Sequence, residues 1–359
     1  MLALPLKIRR AATHLLLVAL AAPAWHCSGN GNGSGTVGAK AGSNTARVVL
    51  PGGSPGIGFD DLRYSPTLHR VLAPGGRSGV VALVEPENGA ATVADGFSVD
   101  GSFSGGHDFG VTSVDEGQGL LFATDRTSGK LHAMDPSSRK IVASATLGGP
   151  PDYVRYVPST GEVWITEPGA EQIEIFSVSK ASPPTFAQVG AISVKNGPES
   201  LVIDDARGRA YTHHWQRSTV AIDTKTRAVI GEWPNGCASS RGIDLEPEHG
   251  FVLTSCSEGT ATVLDPAQGG KLVSSMARGA GYDVMGYSRS LRHVYLAGTA
   301  CACLTILSLS AEGQLSFLGR EDAASDTHCV TADDIGNAWI CEPSTGSVRR
   351  IPDAFPASR

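Results

Sequence analysis

Val111-Thr112-Ser113-Val114, Leu120-Leu121-Phe122-Ala123, Lys130-Leu131-His132-Ala133-Met134 and Ile141-Val142-Ala143-Ser144 follow one another along the chain. They are separated by Glu116-Gly117-Gln118-Gly119, Thr127-Ser128-Gly129 and Asp135-Pro136-Ser137. Each apolar piece has strand length, with alternation or a β-branched run, and turn-forming residues at both ends. The stretch reads as strand, turn, strand, loop, strand, turn, strand. The same unit recurs, and its first apolar residue falls at Leu62, Val111, Val154, Leu201, Ile243, Val284 and Val330. Successive anchors lie 41 (Ile243 to Val284) to 49 (Leu62 to Val111) residues apart. Seven four-stranded units at this spacing predict an all-β fold, a seven-bladed β-propeller. No useful stretch carries a helical 3.6-residue apolar period.

Unit seven is one strand short, because Ser347-Val348-Arg349-Arg350-Ile351 is followed only by Pro352-Asp353-Ala354-Phe355 and a short tail. Ala46-Arg47-Val48-Val49-Leu50 supplies the missing strand from the other end. Pairing N- and C-terminal strands in one blade closes the ring and removes an exposed edge. Residues 46–359 are therefore expected to form one domain, although 359 residues would by length alone suggest two or three.

Composition narrows the partners. Hydrophobic residues at 41% suffice for a core, and a net charge of −6 leaves no basic field for a phosphate backbone. Nucleic acid is excluded as a partner on that ground. The N-terminus reads as an export signal over residues 1–24. Lys7, Arg9 and Arg10 precede the short apolar run Leu15–Ala22, and Ala22-Pro23-Ala24 fits a cleavage site. Residues 25–45 form a Gly/Ser/Asn-rich tether. Cys27 stands where a bacterial lipoprotein carries its acyl anchor, but His26 and Ala24 depart from the usual small residue and Leu. Lipid attachment through Cys27 and soluble export with a spare thiol both remain open. The expected location is extracytoplasmic (periplasm, cell envelope or secreted), as a monomer.

Six further cysteines suit an oxidising compartment. With the unit-seven hairpin turning near Ile335, Cys329 and Cys341 face each other across the ladder, within disulfide reach. Cys237 before the first strand of unit five and Cys256 at the end of its second strand form the other expected pair. Cys301 and Cys303 are expected to be semi-buried thiols, with a metal-binding Cys-x-Cys as the competing reading.

Propeller geometry turns repeat positions into places. Two residues before each anchor stand Asp60, Phe109, Asp152, Glu199, Arg241, Tyr282 and His328. The second strands exit at Asp125, Glu167, His213 or His214, Cys256 and Glu342, on the same rim. His107, Asp108 and Asp283 flank this ring. Folding each hairpin about its turn sets Asp152 opposite Glu167, Glu199 opposite His214, and His328 opposite Glu342. Asp60, Asp108, Asp152, Glu167, Glu199, His214, Arg241 and Asp283 are the candidate ligand-binding set. Crowded carboxylates raise at least one pKa, and a His among them gains proton affinity. Two chemistries fit: a divalent ion such as magnesium or calcium held by carboxylates and imidazole, or His328 as a general base oriented by Glu342. A wet rim lined with polar groups for solvation alone is the plain alternative.

Gly-Pro-Glu-Ser-Leu-Val-Ile-Asp-Asp (197–205) and His-Cys-Val-Thr-Ala-Asp-Asp-Ile-Gly-Asn-Ala-Trp-Ile-Cys-Glu-Pro (328–343) resemble the YVTN/NHL-type propeller repeats. That class is similar in turn to streptogramin B lyases and gluconolactonase-type lactonases. The lyase resemblance implies functional roles for His328 and Glu342 with a magnesium ion nearby. The lactonase resemblance makes Glu199 a first metal ligand, although Arg241 stands where another ligand would be. Fold does not dictate function. The expectation is recognition of a small molecule or protein partner at the channel mouth, with a metal-dependent lyase or lactonase as the alternative.

Overall fold

The computed structural model describes residues 46–358; the expected signal (1–24), the tether (25–45) and Cys27 lie outside the described residues. Seven antiparallel sheets, each of four strands, form the blades. Blades one to six occupy residues 63–95, 111–146, 154–193, 199–234, 240–277 and 282–322. Blade seven takes three strands from 330–352 and its fourth from Arg47–Val49. Within each of blades one to six, consecutive strands pair as a simple meander from axis to rim.

The burial pattern explains the apolar runs. The second strands Glu162–Glu167, Phe251–Cys256, His293–Gly298 and Asn337–Glu342 are buried throughout, because both their faces meet neighbouring blades. The outermost strands Lys140–Thr146 and Lys271–Ala277 bury nothing fully. Apolar clusters fill the spaces between blades: Phe122 with Val163 and Ile165, Tyr295 with Ala338 and Ile340, and Trp339 with Val71 and Phe59. Trp339 and Trp164 hold the same place in their second strands. Their indole N–H groups donate to Asp333 (2.9 Å) and Glu162 (3.0 Å), so neither ring buries an unpaired donor. The tight outer turns have a repeated cause. Asp135, Asp223 and Asp265 end third strands, and each carboxylate accepts backbone N–H groups of the turn that follows.

Closure follows the expected register. Arg47, Val48 and Val49 face Arg349, Val348 and Ser347. Glu342 fastens the seam: its buried carboxylate pairs with Arg47 (2.6 Å) and Arg349 (3.1 Å) and accepts from Ser347 (3.1 Å). Leu50, fully buried beside Trp339, continues the seam into the core.

A second tie crosses the axis. Arg155 of blade three grips Asp61, just before blade one, through two hydrogen bonds of 2.6 and 3.1 Å. Its Nε donates to Leu201 O in blade four (3.0 Å), while Ser113 of blade two donates to Asp61 (2.6 Å). Four blades thus meet on one buried ion pair.

Cys237–Cys256 and Cys329–Cys341 are bonded, with Cα separations of 5.3 and 5.5 Å. The expectation for Cys301 and Cys303 needs correction: they are joined to each other rather than left as thiols or as a metal pair. Ala302 between them takes a left-handed φ of 47°, the tight bend that brings i and i+2 together. Three disulfides suit an oxidising, extracytoplasmic environment. No helix among the described residues is long and apolar enough to cross a membrane.

If residues 46–50 close the ring, Leu50→Ala should cost about 2–4 kcal/mol, the range for emptying a buried leucine site. Chemical denaturation checks this; an unchanged midpoint would mean that the N-terminal strand is not part of the core.

Candidate functional site

The inner strands of blades two, four, five and six carry register shifts near their entry. Such bulges leave residues unpaired and re-aim their side chains. Arg241 falls within the shift between Ser240 and Ile243, and Asp283 within that between Tyr282 and Met285. Glu199 stands at the edge of its shift, where Ser200 takes a φ of 58°. All three side chains line a cavity of about 340 Å³ at the channel mouth, with Asp60, His107, Arg126, Asp152, Tyr153 and Trp215. Gly110 makes the close approach at blade two possible: a Cβ there would lie 2.1 Å from Gly76 O. Its own carbonyl accepts the Arg126 N–H at 2.8 Å, placing that side chain in the mouth.

Arg126 organises one wall. Its Nη2 donates to Asp60 (2.7 Å) and to Asp152, and its Nη1 donates to His107 Nδ1 (2.9 Å) and His107 O (3.0 Å). Burial pushes the Asp60 carboxyl up to about 6, against the pull of Arg126. Burial and the neighbouring Asp60 push Asp152 up to about 7. The two carboxyls lie on one guanidinium and hold protons well above the usual range. Glu199 is driven upward by burial and by Asp152 and Asp283, with Arg241 opposing. Burial and the adjacent Arg126 lower His107, consistent with an Nδ1 that accepts.

His328 behaves differently. Its Nδ1 lies 2.8 Å from Asp326 O and its Nε2 2.8 Å from Phe59 O. Carbonyls only accept, so both nitrogens donate and the ring is an imidazolium. Burial works against the charge, but Asp283, the two carbonyls and Asp60 outweigh it, and the pKa is raised. A ring held this way has no lone pair with which to take a proton. Glu342 does not orient it, being committed to Arg47 and Arg349 at the seam.

Of the eight candidate ligand-binding residues, Asp60, Asp152, Glu199, Arg241 and Asp283 line the cavity. Asp108 lies at its margin, 97% exposed and 3.7 Å from Arg126. Glu167 stands beside Asp152 in the ladder, but its carboxylate turns to Gly149 N (3.0 Å) and Gln172 (2.7 Å). Glu199 faces His213 rather than His214, because the bulge shifts the register by one. His214 instead meets Ser218 (3.1 Å) and Glu232 (3.4 Å). Tyr282, expected on the ring, points into the core and donates to Thr305 (2.8 Å); the next residue, Asp283, takes its place. Arg126 was missing from the expected set. It follows Asp125, whose carboxylate is used by Ser98, Thr127 and Ser128. An arginine directly after a strand exit was the available signal. Trp215 forms the opposite wall, 39% exposed, with the Arg241 guanidinium 5.3 Å from its ring centre.

A divalent ion does not suit the Asp60–Asp152 side of this mouth. Arg126 already occupies the position between Asp60 and Asp152, and its positive charge opposes a cation there. Elsewhere among the described residues three groups bring metal-ligand types together. Two of these use disulfide sulfurs, which offer no thiolate. In the third, Glu246, Glu248 and His249, the carboxylates face Arg292 at 4.0 and 2.9 Å.

No protein-family model and no curated protein matches the chain. Solved structures do. A chain from the crystal structure of the mitotic checkpoint complex aligns at TM-score 0.69 and 13% identity, over 95% of this chain and all (100%) of the other. The β-propeller domain of Myceliophteria thermophila Cps50 (Swd1) aligns at 0.67 and 12%, over 85% and 98%. Kuenenia stuttgartiensis hydrazine synthase aligns at 0.65 and 12%, over 84% and 96%. At such identities the likeness is one of fold. The chain is a seven-bladed β-propeller; the YVTN/NHL and lyase resemblances find no counterpart among these matches.

The proton on Asp152 has a measurable sign. A carboxyl raised from 3.8 to about 7 stabilises the fold below pH 3.8 and loses that contribution as pH rises towards 7. Asp152→Asn cannot ionise, so its melting temperature should gain on wild type steadily across that window. A gap that stays constant with pH would show that Asp152 holds no proton.

Proposed function

We propose that this chain is an exported propeller that recognises a small polar ligand at its channel mouth. The observation that carries the reading is the carboxyl of Glu199, a residue 5% exposed, which lines the 340 Å³ cavity and makes no hydrogen bond or ion pair with any described residue. Its oxygens open to the cavity, so their partner comes from whatever fills it. A ligand donor supplies that partner. The cavity is at the small end of ligand-pocket sizes and combines convergent polar groups with the Trp215 and Tyr153 rings, as such pockets do. The imidazolium state of His328 speaks for recognition over general-base chemistry. Export rests on the basic and apolar N-terminal pattern together with the three disulfides. Attachment through a Cys27 lipid accords with the same pattern.

A thermal-shift screen of small amines, polyols and carboxylates tests the reading. At about a hundredfold excess over Kd a ligand should raise the melting temperature by roughly 3–5 °C. Trp215→Ala should abolish the shift with little change in the unliganded melt. Ligand shifts that survive both Trp215→Ala and Arg241→Ala would place the binding elsewhere and overturn it.

A further inference from the structure

The walls of the mouth differ in what they leave unused. Asp60 and Asp152 are taken up by Arg126. Among the described residues Glu199, 5% exposed, makes no hydrogen bond or ion pair through its side chain; the Asp283 carboxylate makes no hydrogen bond either, though its charge supports the His328 imidazolium, and both line the same cavity. The other guanidinium at the mouth, Arg241, donates to Ser240 O (2.8 Å) and lies over Trp215, with no carboxylate of the described residues within ion-pair distance. Resting on the recognition reading above, we propose that the ligand is a small organic ammonium ion, seated between the Glu199 and Asp283 carboxyls beside the Trp215 and Tyr153 rings.

Charge decides among the ligand classes. Arg126, Arg241 and His328 bring positive charge to the mouth, but at Glu199 burial comes first and the charges of Asp152 and Asp283 outweigh that of Arg241, so the field there favours a proton or another cation. An anion beside Glu199 is opposed by that field. A neutral polyol leaves it unchanged. An ammonium takes the place of the proton that this field favours: the protonated fraction of Glu199 gives up H⁺ to solvent and the carboxylate accepts the ligand N–H. Each proton released is balanced by one ammonium group seated at that carboxyl. Charge-assisted hydrogen bonds of this kind are about twice as strong as neutral ones. The Trp215 and Tyr153 rings, each with a guanidinium already over it, offer apolar surface to the stem of the ligand.

Titration calorimetry at neutral pH with 1,4-diaminobutane, 1,4-butanediol and butanoate as probes tests this. The diamine should bind, with a heat that varies with the ionisation enthalpy of the buffer and reports proton release. Butanediol and butanoate should bind at least about tenfold more weakly. Glu199→Gln should keep its circular dichroism, melt no lower than wild type at neutral pH, lose the proton release and bind the diamine about tenfold or more weakly. Diamine binding without proton release, or with Glu199→Gln unaffected, overturns the inference. So does a failure of the diamine to bind at millimolar concentration. Binding of butanediol alone, abolished by Trp215→Ala, overturns the ammonium ion while leaving recognition at the mouth in place.

Discussion

Arg155 and Asp61 stand 94 residues apart in sequence and form a two-pronged ion pair almost closed to solvent. Two buried charges are expensive to take out of water, and good geometry with further hydrogen bonds is required to offset that expense. Here Ser113 and the Leu201 carbonyl supply those bonds from two more blades. The pair sits where only a narrow void of about 20 Å³ remains between the two openings of the channel. Beyond it the opposite opening widens to about 670 Å³. The mouth bearing Asp60, Asp152, Glu199 and Asp283 is therefore a cup narrowed at its base, with this charged pair as its floor. Tyr153, two residues from Arg155 and 5.2 Å from its guanidinium, links the floor to the cup wall.

Local backbone irregularity then sets the chemistry. A regular inner strand alternates its side chains between two faces and would send a neighbour of each rim residue into the core. The bulges in blades four, five and six break that alternation at Glu199, Arg241 and Asp283. Polar groups collect around the axis without opening the apolar spaces between blades. Burial, and then crowding, raises the proton affinity of the Asp60 and Asp152 carboxyls, with Arg126 limiting the rise. Glu199 has only Arg241 opposing its rise and no ion pair among the described residues, and this is the asymmetry on which ligand choice depends.

Fold and site were legible to different depths. The seven anchors, the closing strand and two disulfides were readable because strand period, turn chemistry and hairpin register are local properties of the chain. The anchor-minus-two rule found Asp60, Asp152, Glu199 and Arg241, because blade position alone places them. It put Tyr282 on the ring, with Asp283 entering the candidate set only as a flanking residue, and it paired Glu199 with His214, because a bulge shifts register by one without an unmistakable residue signature. Side-chain commitments were hidden for a different reason. Glu167 and Glu342 occupy rim positions, yet neighbours that only the folded chain supplies, Gly149 and Gln172 or Arg47 and Arg349, turn them away. The Cys301–Cys303 bond depended on a left-handed Ala302 that composition does not announce.

The most direct measurement is a double-mutant cycle on the axial pair, with Asp61→Asn, Arg155→Met and the double variant compared by chemical denaturation. If distant blades are tied through this contact, the two losses should fall short of additivity by about 2 kcal/mol or more. Losses that add to within about 0.5 kcal/mol would mean that the two residues do not meet, and the floor of the cup would go with them.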